Sequence, residues 1–178
     1  AVAERAKTED LKLTLVTGAS LVHGTDAALV ESGALKKRLP FQVDTVMRKN
    51  INAGNLLFID QHLGESAEHI LNGQFKIDLG ILEVAEILED GSLVPTTSIG
   101  NNVEIVKSAE KLIIEINTTI PTNIKGIHDI YNVEEYGKRT PINITTIDTK
   151  IGTETIKVDP SKIVGIVFHD IQDMPGDI

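Results

Sequence analysis

Apolar residues fall in short runs separated by polar and glycine-containing breaks, and the runs alternate between strand-like and helix-like spacing. Leu11 to Thr17, LKLTLVT, mixes Leu with β-branched residues and stops at Gly18, the pattern of a strand feeding a loop at its carboxyl end. Asp26 to Ser32 has helical spacing and is followed by Gly33, which suits a C-cap. Asp44 is placed to N-cap a helix over TVMRKNINA, ended by Gly54, and LLFID at 56–60 predicts a short strand. Glu65 to Leu71 predicts another helix, with Gly73 as its stop. Ile77 to Leu88, IDLGILEVAEIL, is apolar enough for a strand buried on both faces. Asp90-Gly91 predicts a tight turn that sends Leu93 to Pro95 back beside it.

Asn102 to Lys107 predicts a short helix, and Lys111 to Thr118, KLIIEINT, a buried strand before Pro121. Ile163 to Phe168, IVGIVF, predicts a strand that returns to the core. Between these two strands, Ile120 to Lys157 is rich in Pro, Asn and Thr and reads as an excursion over the surface. The opening AVAERAK reads as the last turns of a helix begun upstream, and the closing IQDMPGDI as the start of a linker.

Strands alternating with helices predict an α/β fold, a mostly parallel sheet flanked by helices, folding as a single unit. Ligands of such sheets bind outside the carboxyl ends of the strands. That rule nominates the loops at Gly18 to Gly24, Pro95 to Asn102 and Asn117 to Asn123.

Composition removes several function classes. A formal net charge of −9 argues against nucleic acid, whose phosphates call for clustered cations. Cysteine is absent, which excludes a thiolate nucleophile, a disulfide framework and a Cys-type zinc site. No run approaches ~18 uncharged apolar residues, so no membrane span is expected and a cytoplasmic location fits.

The chemistry-bearing residues cluster in loops. Pro95-Thr96-Thr97-Ser98-Ile99-Gly100-Asn101-Asn102 offers three hydroxyls and two amides, neutral donors able to stabilise an oxyanion, although Ser, Thr and Asn also favour turns for backbone reasons alone. Thr17-Gly18-Ala19-Ser20 ends the first strand with a glycine that allows close approach to a ligand, and Leu39-Pro40-Phe41-Gln42 is a Pro-aromatic corner. His62, Glu65, Glu68 and His69 match no metalloprotease order and read as a solvated helix face, so no metal is expected. His128-Asp129 reads as a structural pair, His23 and His169 as residues without partners, and Glu83, Glu86 and Glu115 as strand carboxylates that burial could tune.

Seven segments, taken in order, resemble one family: VTGAS (16–20), LPFQVD (39–44), INAGNLLFIDQHLG (51–64), EDGSLVPTTSIGNN (89–102), EIN (115–117), GIHDIY (126–131) and IGTETIKVDPSKIVGIV (151–167). The chain thereby resembles the acetyl-CoA hydrolase/transferase family of class I coenzyme A transferases, closest to the succinyl-CoA:acetate branch. The resemblance implies a CoA-transferase-like domain of the NagB/RpiA type, incomplete, with residues 1–168 as an N-terminal portion and 169–178 leading to an absent C-terminal catalytic domain. It also implies transfer of CoA between an acyl-CoA and a small carboxylate such as acetate, through a glutamyl-CoA intermediate.

The nucleophilic glutamate of the family lies in its C-terminal half, so no catalytic residue is expected in this chain. Gly18, Ala19, Ser20, Pro40, Phe41, Gln42, Thr96, Thr97, Ser98, Gly100 and Asn101 would line the acyl pocket. Coenzyme A would be substrate, with no bound cofactor, and the enzyme a homo-oligomer. Two other readings compete. A non-enzymatic small-molecule-binding or interaction module on the same scaffold would need no further domain. A sugar-phosphate isomerase would want cations at the nominated loops, which lack them.

Overall fold

A computed structural model describes residues 1–18, 21, 24–134 and 137–172. The chain forms α1 (Val2–Glu9), β1 (Leu13–Val16), α2 (Thr25–Glu31), β2 (Leu35–Leu39), α3 (Thr45–Asn52), β3 (Leu57–Phe58) and α4 (Leu63–Leu71). Then follow β4 (Leu79–Ile87), β5 (Leu93–Pro95), α5 (Asn102–Ser108), β6 (Lys111–Asn117) and β7 (Ile163–His169). In place of the expected single unit there are two compact ones, Ala1–Ser66 and Ala67–Ile178, divided within α4.

The first unit is a parallel sheet of order β1-β2-β3 with helices between its strands. Local sequence explains the boundaries. Asp44 accepts from Met47 N–H at 2.8 Å and caps α3, and Gly33 takes φ 72 just after α2, a left-handed conformation that a residue with a Cβ adopts only at a cost. Leu35, Met47 and Leu56 form the buried core, with Leu13, Leu15, Leu29, Val30 and Ile51 against it.

The second unit is a sheet of order β5-β4-β6-β7, parallel except for the β4–β5 hairpin. Asp90 and Gly91, at φ 80, turn that hairpin, and the Asp90 carboxylate accepts from Ser92 N–H. Lys157 and Ser92 hold the Asp90 carboxyl well below the usual carboxylate range. Leu82, Val84, Leu112 and Ile114 are buried together with Val103 and Val106 of α5. Gly80 permits that approach, since a Cβ there would lie 2.6 Å from Ile105 and 2.8 Å from Leu112.

Three expectations need correction. β4 is not buried on both faces: Leu82 and Val84 are covered, whereas Leu79 and Ile81 are about half exposed at 45% and 48%. Nor does β7 return to the core, because it is an edge strand with Val164 and Phe168 exposed; an apolar run cannot itself say whether a further layer covers it. The segment from Ile120 to Lys157 is only partly a surface excursion. Ile124, His128, Ile130 and Ile156 are buried, and isolated bridges join Ile130 to Thr153 and Leu93 to Ile156.

Candidate functional site

In the first unit, the parallel register brings two of the expected loops side by side. Thr17 N–H donates to Leu39 O at 3.2 Å, so the chain leaves β1 at Gly18 and β2 at Pro40 from neighbouring strand ends. Ala19 and Ser20 lie outside the described residues, as does His23. Pro40 is buried and Phe41 exposed at 43%. Gln42 is buried, and its Oε1 has no hydrogen-bond partner among the described residues. A desolvated carbonyl oxygen left unpaired is uncommon in folded proteins and calls for an explanation.

Beneath these strand ends lies a charged network the sequence reading missed. Arg38 and Asp26 are 0% and 1% exposed. Arg38 Nε donates to Asp26 Oδ1 at 3.0 Å and Nη2 to Asp26 Oδ2 at 3.1 Å, a two-pronged contact. Nη1 donates to Thr17 Oγ1 at 2.9 Å and also to Leu39 O. β2 itself went unread because its sequence, LKKRL, is mostly cationic. Lys36 and Lys37 are exposed, while Arg38 is buried. The available signal was an acid at the head of α2, Asp26, twelve residues before a lone arginine.

In the second unit, the hydroxyl loop follows β5. Thr96 is fully buried and its Oγ1 accepts from Ser98 N–H at 3.3 Å, whereas Thr97, Ser98 and Gly100 are exposed. Asn101 precedes α5 without capping it through its side chain, and its Nδ2 is buried with no partner among the described residues. The sheet-edge rule misplaces this loop. β5 runs antiparallel to β4, with Pro95 opposite Val84, so the loop leaves beside the middle of β4 and heads toward the amino ends of the parallel strands. The hairpin reversal is the physical reason.

His128 supports this loop from behind. It is buried, and its Nε2 lies 3.0 Å from Thr96 O. A carbonyl oxygen only accepts, so Nε2 carries the proton in that bond, while Nδ1 is buried without a partner among the described residues. Asp129 accepts from the backbone N–H groups of Ile151 and Gly152 at 3.0 Å and 2.6 Å, and Lys150 Nζ donates to Gly126 O at 2.8 Å. The structural reading of the His-Asp pair thus gains definite partners. His128→Leu should leave the buried Thr96 carbonyl unpaired and cost about 1–3 kcal/mol in urea denaturation, whereas His128→Gln, which can still donate, should cost less.

The remaining acids separate by surroundings. Glu83 Oε2 lies 3.4 Å from His169 Nε2, so His169 is not the partnerless residue expected. Glu68 pairs with Arg139 at 3.5 Å and His69 packs edge-on against Phe75, so these two of the four residues of the HxxExxEH run have structural contacts. Glu104 in α5 is buried, and desolvation raises its carboxyl pKa above the ordinary 4.5. The folded state then holds this proton where the unfolded chain has lost it, so stability falls as pH rises from about the ordinary value through the raised one. Glu104→Gln should be more stable than the wild type at neutral pH, and the gain should vanish below the ordinary carboxylate range in denaturation curves recorded against pH.

Known proteins bear on this arrangement. Residues 1–168 match the family described as acetyl-CoA hydrolase/transferase N-terminal domain. The chain is 40% identical over 171 residues to an acetyl-CoA hydrolase of Schizosaccharomyces pombe, a match covering 92% of this chain and 33% of the relative. It is 36% identical over 166 residues to a succinyl-CoA:acetate CoA-transferase of Clostridium kluyveri, covering 93% and 31%. Against a propanoyl-CoA:succinate CoA transferase of Escherichia coli the identity is 32% over 163 residues, covering 91% and 33%. The chain therefore spans about a third of the length of these curated relatives.

Two solved structures share the fold. RipA from Yersinia pestis matches with a TM-score of 0.60 at 16% identity, covering 99% of this chain and 37% of that one. A 4-hydroxybutyrate CoA-transferase from Porphyromonas gingivalis matches at 0.51 and 15%, covering 98% and 41%. The ordered segments, the α/β sheets and the match over residues 1–168 agree: the chain belongs to the acetyl-CoA hydrolase/transferase family, through that family's N-terminal domain.

Proposed function

We propose that this chain forms one side of the substrate cleft of an enzyme that moves CoA from acetyl-CoA or succinyl-CoA to a carboxylate such as acetate, or to water. The observation that carries this reading is the family match over residues 1–168, together with relatives named acetyl-CoA hydrolase and succinyl-CoA:acetate CoA-transferase. Gln42 Oε1 and Asn101 Nδ2, without a hydrogen-bond partner among the described residues, support it within their separate units, since each is a desolvated polar atom on a loop expected to meet substrate.

The chemistry is covalent. A glutamate carboxylate, supplied by polypeptide outside these 178 residues, attacks the thioester carbonyl, and the C–S bond breaks to release CoA thiolate and leave an acyl-glutamyl anhydride. The thiolate then attacks the glutamyl carbonyl of the anhydride, expelling the first carboxylate and forming glutamyl-CoA. An acceptor carboxylate repeats these steps in reverse order and leaves as the new acyl-CoA; water attacking glutamyl-CoA instead gives hydrolysis. In the second unit, Thr97 and Ser98 are neutral hydroxyl groups of the kind suited to a developing oxyanion; in the first, Gly18 and the Pro40–Gln42 corner are suited to contact an acyl group.

The test uses the full-length protein and the 178-residue chain in parallel. Full-length protein incubated with succinyl-CoA should form a covalent CoA adduct on one glutamate, detected by mass spectrometry, and should make acetyl-CoA when acetate is added. The 178-residue chain alone should do neither. Turnover by this chain alone would refute the assignment of the nucleophile to another part of the protein.

A further inference from the structure

The buried arginine of the first unit is not a substrate-binding cation. Arg38 is 0% exposed, and four of its hydrogen-bond contacts are already made, two to Asp26, one to Thr17 Oγ1 and one to Leu39 O. Charge balance needs only Asp26. The other two acceptors are the residues at which the chain leaves β1 and β2, immediately before Gly18 and Pro40. We propose that Arg38 is a positioning residue, whose guanidinium ties these two strand ends to each other and to α2 and so fixes the loops that acyl-CoA binding uses. The proposal rests on the function proposed above.

The physical case is a comparison of what other side chains would do. A buried ion pair is weak evidence for stability, because desolvating two charges offsets most of their attraction, and an apolar pair of equal volume often serves the fold as well. What an apolar pair cannot supply is a planar fork reaching a helix and two strand ends at once. Lysine cannot supply it either, since a single ammonium at the end of a flexible stem does not fix three partners in one plane. Gln42, three residues beyond Leu39, adds a buried Oε1 with no hydrogen-bond partner among the described residues, on the segment that leaves the β2 end.

The test compares wild-type, Thr17→Val and Arg38→Lys forms of the full-length protein. Thr17→Val is nearly isosteric and removes the hydroxyl that accepts from Arg38 Nη1. Hydrogen–deuterium exchange should rise about tenfold in peptides containing Gly18 and Phe41–Gln42, with β4 and β6 unchanged, as expected for loss of one hydrogen bond to a charged group. The KM for acetyl-CoA should rise by a similar factor while kcat stays within about twofold. Arg38→Lys, which keeps the charge beside Asp26 but loses the fork, should follow Thr17→Val in both measurements.

Wild-type exchange and KM in Arg38→Lys would show that charge balance alone is needed, and would overturn the proposal. So would faster exchange with an unchanged KM, or faster exchange spread through β4 and β6. Absence of turnover by the wild type would instead remove the functional reading and the acyl-CoA half of this proposal, while the exchange contrast still decides whether Arg38 holds the loops.

Discussion

Gly152→Ala is expected to destabilise the second unit by about 4 kcal/mol or more, the range reserved for substitutions that break a specific structural device. A Cβ at this position would lie 2.2 Å from both the carbonyl carbon and the oxygen of Ile130 and 2.7 Å from Tyr131 N. These are backbone atoms, so no side-chain rotation relieves the clash. The close approach exists because the two segments exchange hydrogen bonds, Ile130 N–H to Thr153 O at 2.8 Å and Thr153 N–H to Ile130 O at 2.9 Å, with Asp129 accepting from Gly152 N–H beside them.

The consequence reaches the hydroxyl loop. From Ile130 the support continues through His128 to Thr96, and from Thr153 through Ile156, which exchanges hydrogen bonds with Leu93 at 2.9 Å in both directions. Leu93 and Thr96 bracket the short strand from which the loop emerges. Separating Ile130 from Gly152 therefore loosens both ends of that strand's support. At roughly 2–4 °C per kcal/mol for a chain of this size, the melting midpoint should fall by roughly 10 °C. Circular dichroism is a suitable probe, since the chain has no tryptophan. A midpoint within about 2 °C of wild type would show that the two segments can part without cost.

How much of this was legible follows from what each feature depends on. Elements whose signals are local were read with boundaries close to those found: the Asp44-capped α3, the Gly33 stop of α2, the Asp90-Gly91 hairpin, and the apolar strands β4 and β6. β2 was lost because its register sends Lys36 and Lys37 outward and Arg38 inward, and a buried arginine is recognisable only once its acid is known to lie beside it. His128 was read as structural, but its partner Thr96 lies 32 residues away and no spacing rule connects them.

The candidate loops were legible as segments, and their placement at the sheet edges only in part. TGAS and LPFQ proved to start from adjacent strand ends because β1 and β2 are parallel, as an alternating pattern implies. The hydroxyl loop departs differently because one hairpin reverses the chain before it. The same turn that the sequence announced most clearly, Asp90-Gly91, is what makes the general rule about carboxyl edges fail here.

The second large effect is expected from Asp26→Ala, which leaves Arg38 buried without its carboxylate and should cost about 3–5 kcal/mol. The partners carry unequal burdens in what they support. Removing Asp26 strips only the counter-charge, whereas Arg38→Met removes the charge together with the bonds to Thr17 and Leu39. The double variant Asp26→Leu with Arg38→Met takes away both charges and refills the space with apolar atoms, so it should recover to within about 1 kcal/mol of wild type. Urea denaturation of wild type, Asp26→Leu, Arg38→Met and the double variant gives the coupling directly. Costs that simply add would mean that the pair does not act as a unit. Recovery of stability in the double variant would also separate the fold from the loops, because this protein would be as stable as wild type yet lack the fork between β1 and β2. If Arg38 serves only the fold, its loops should then exchange as slowly as in the wild type. If it positions them, they should remain fast in a fully stable domain.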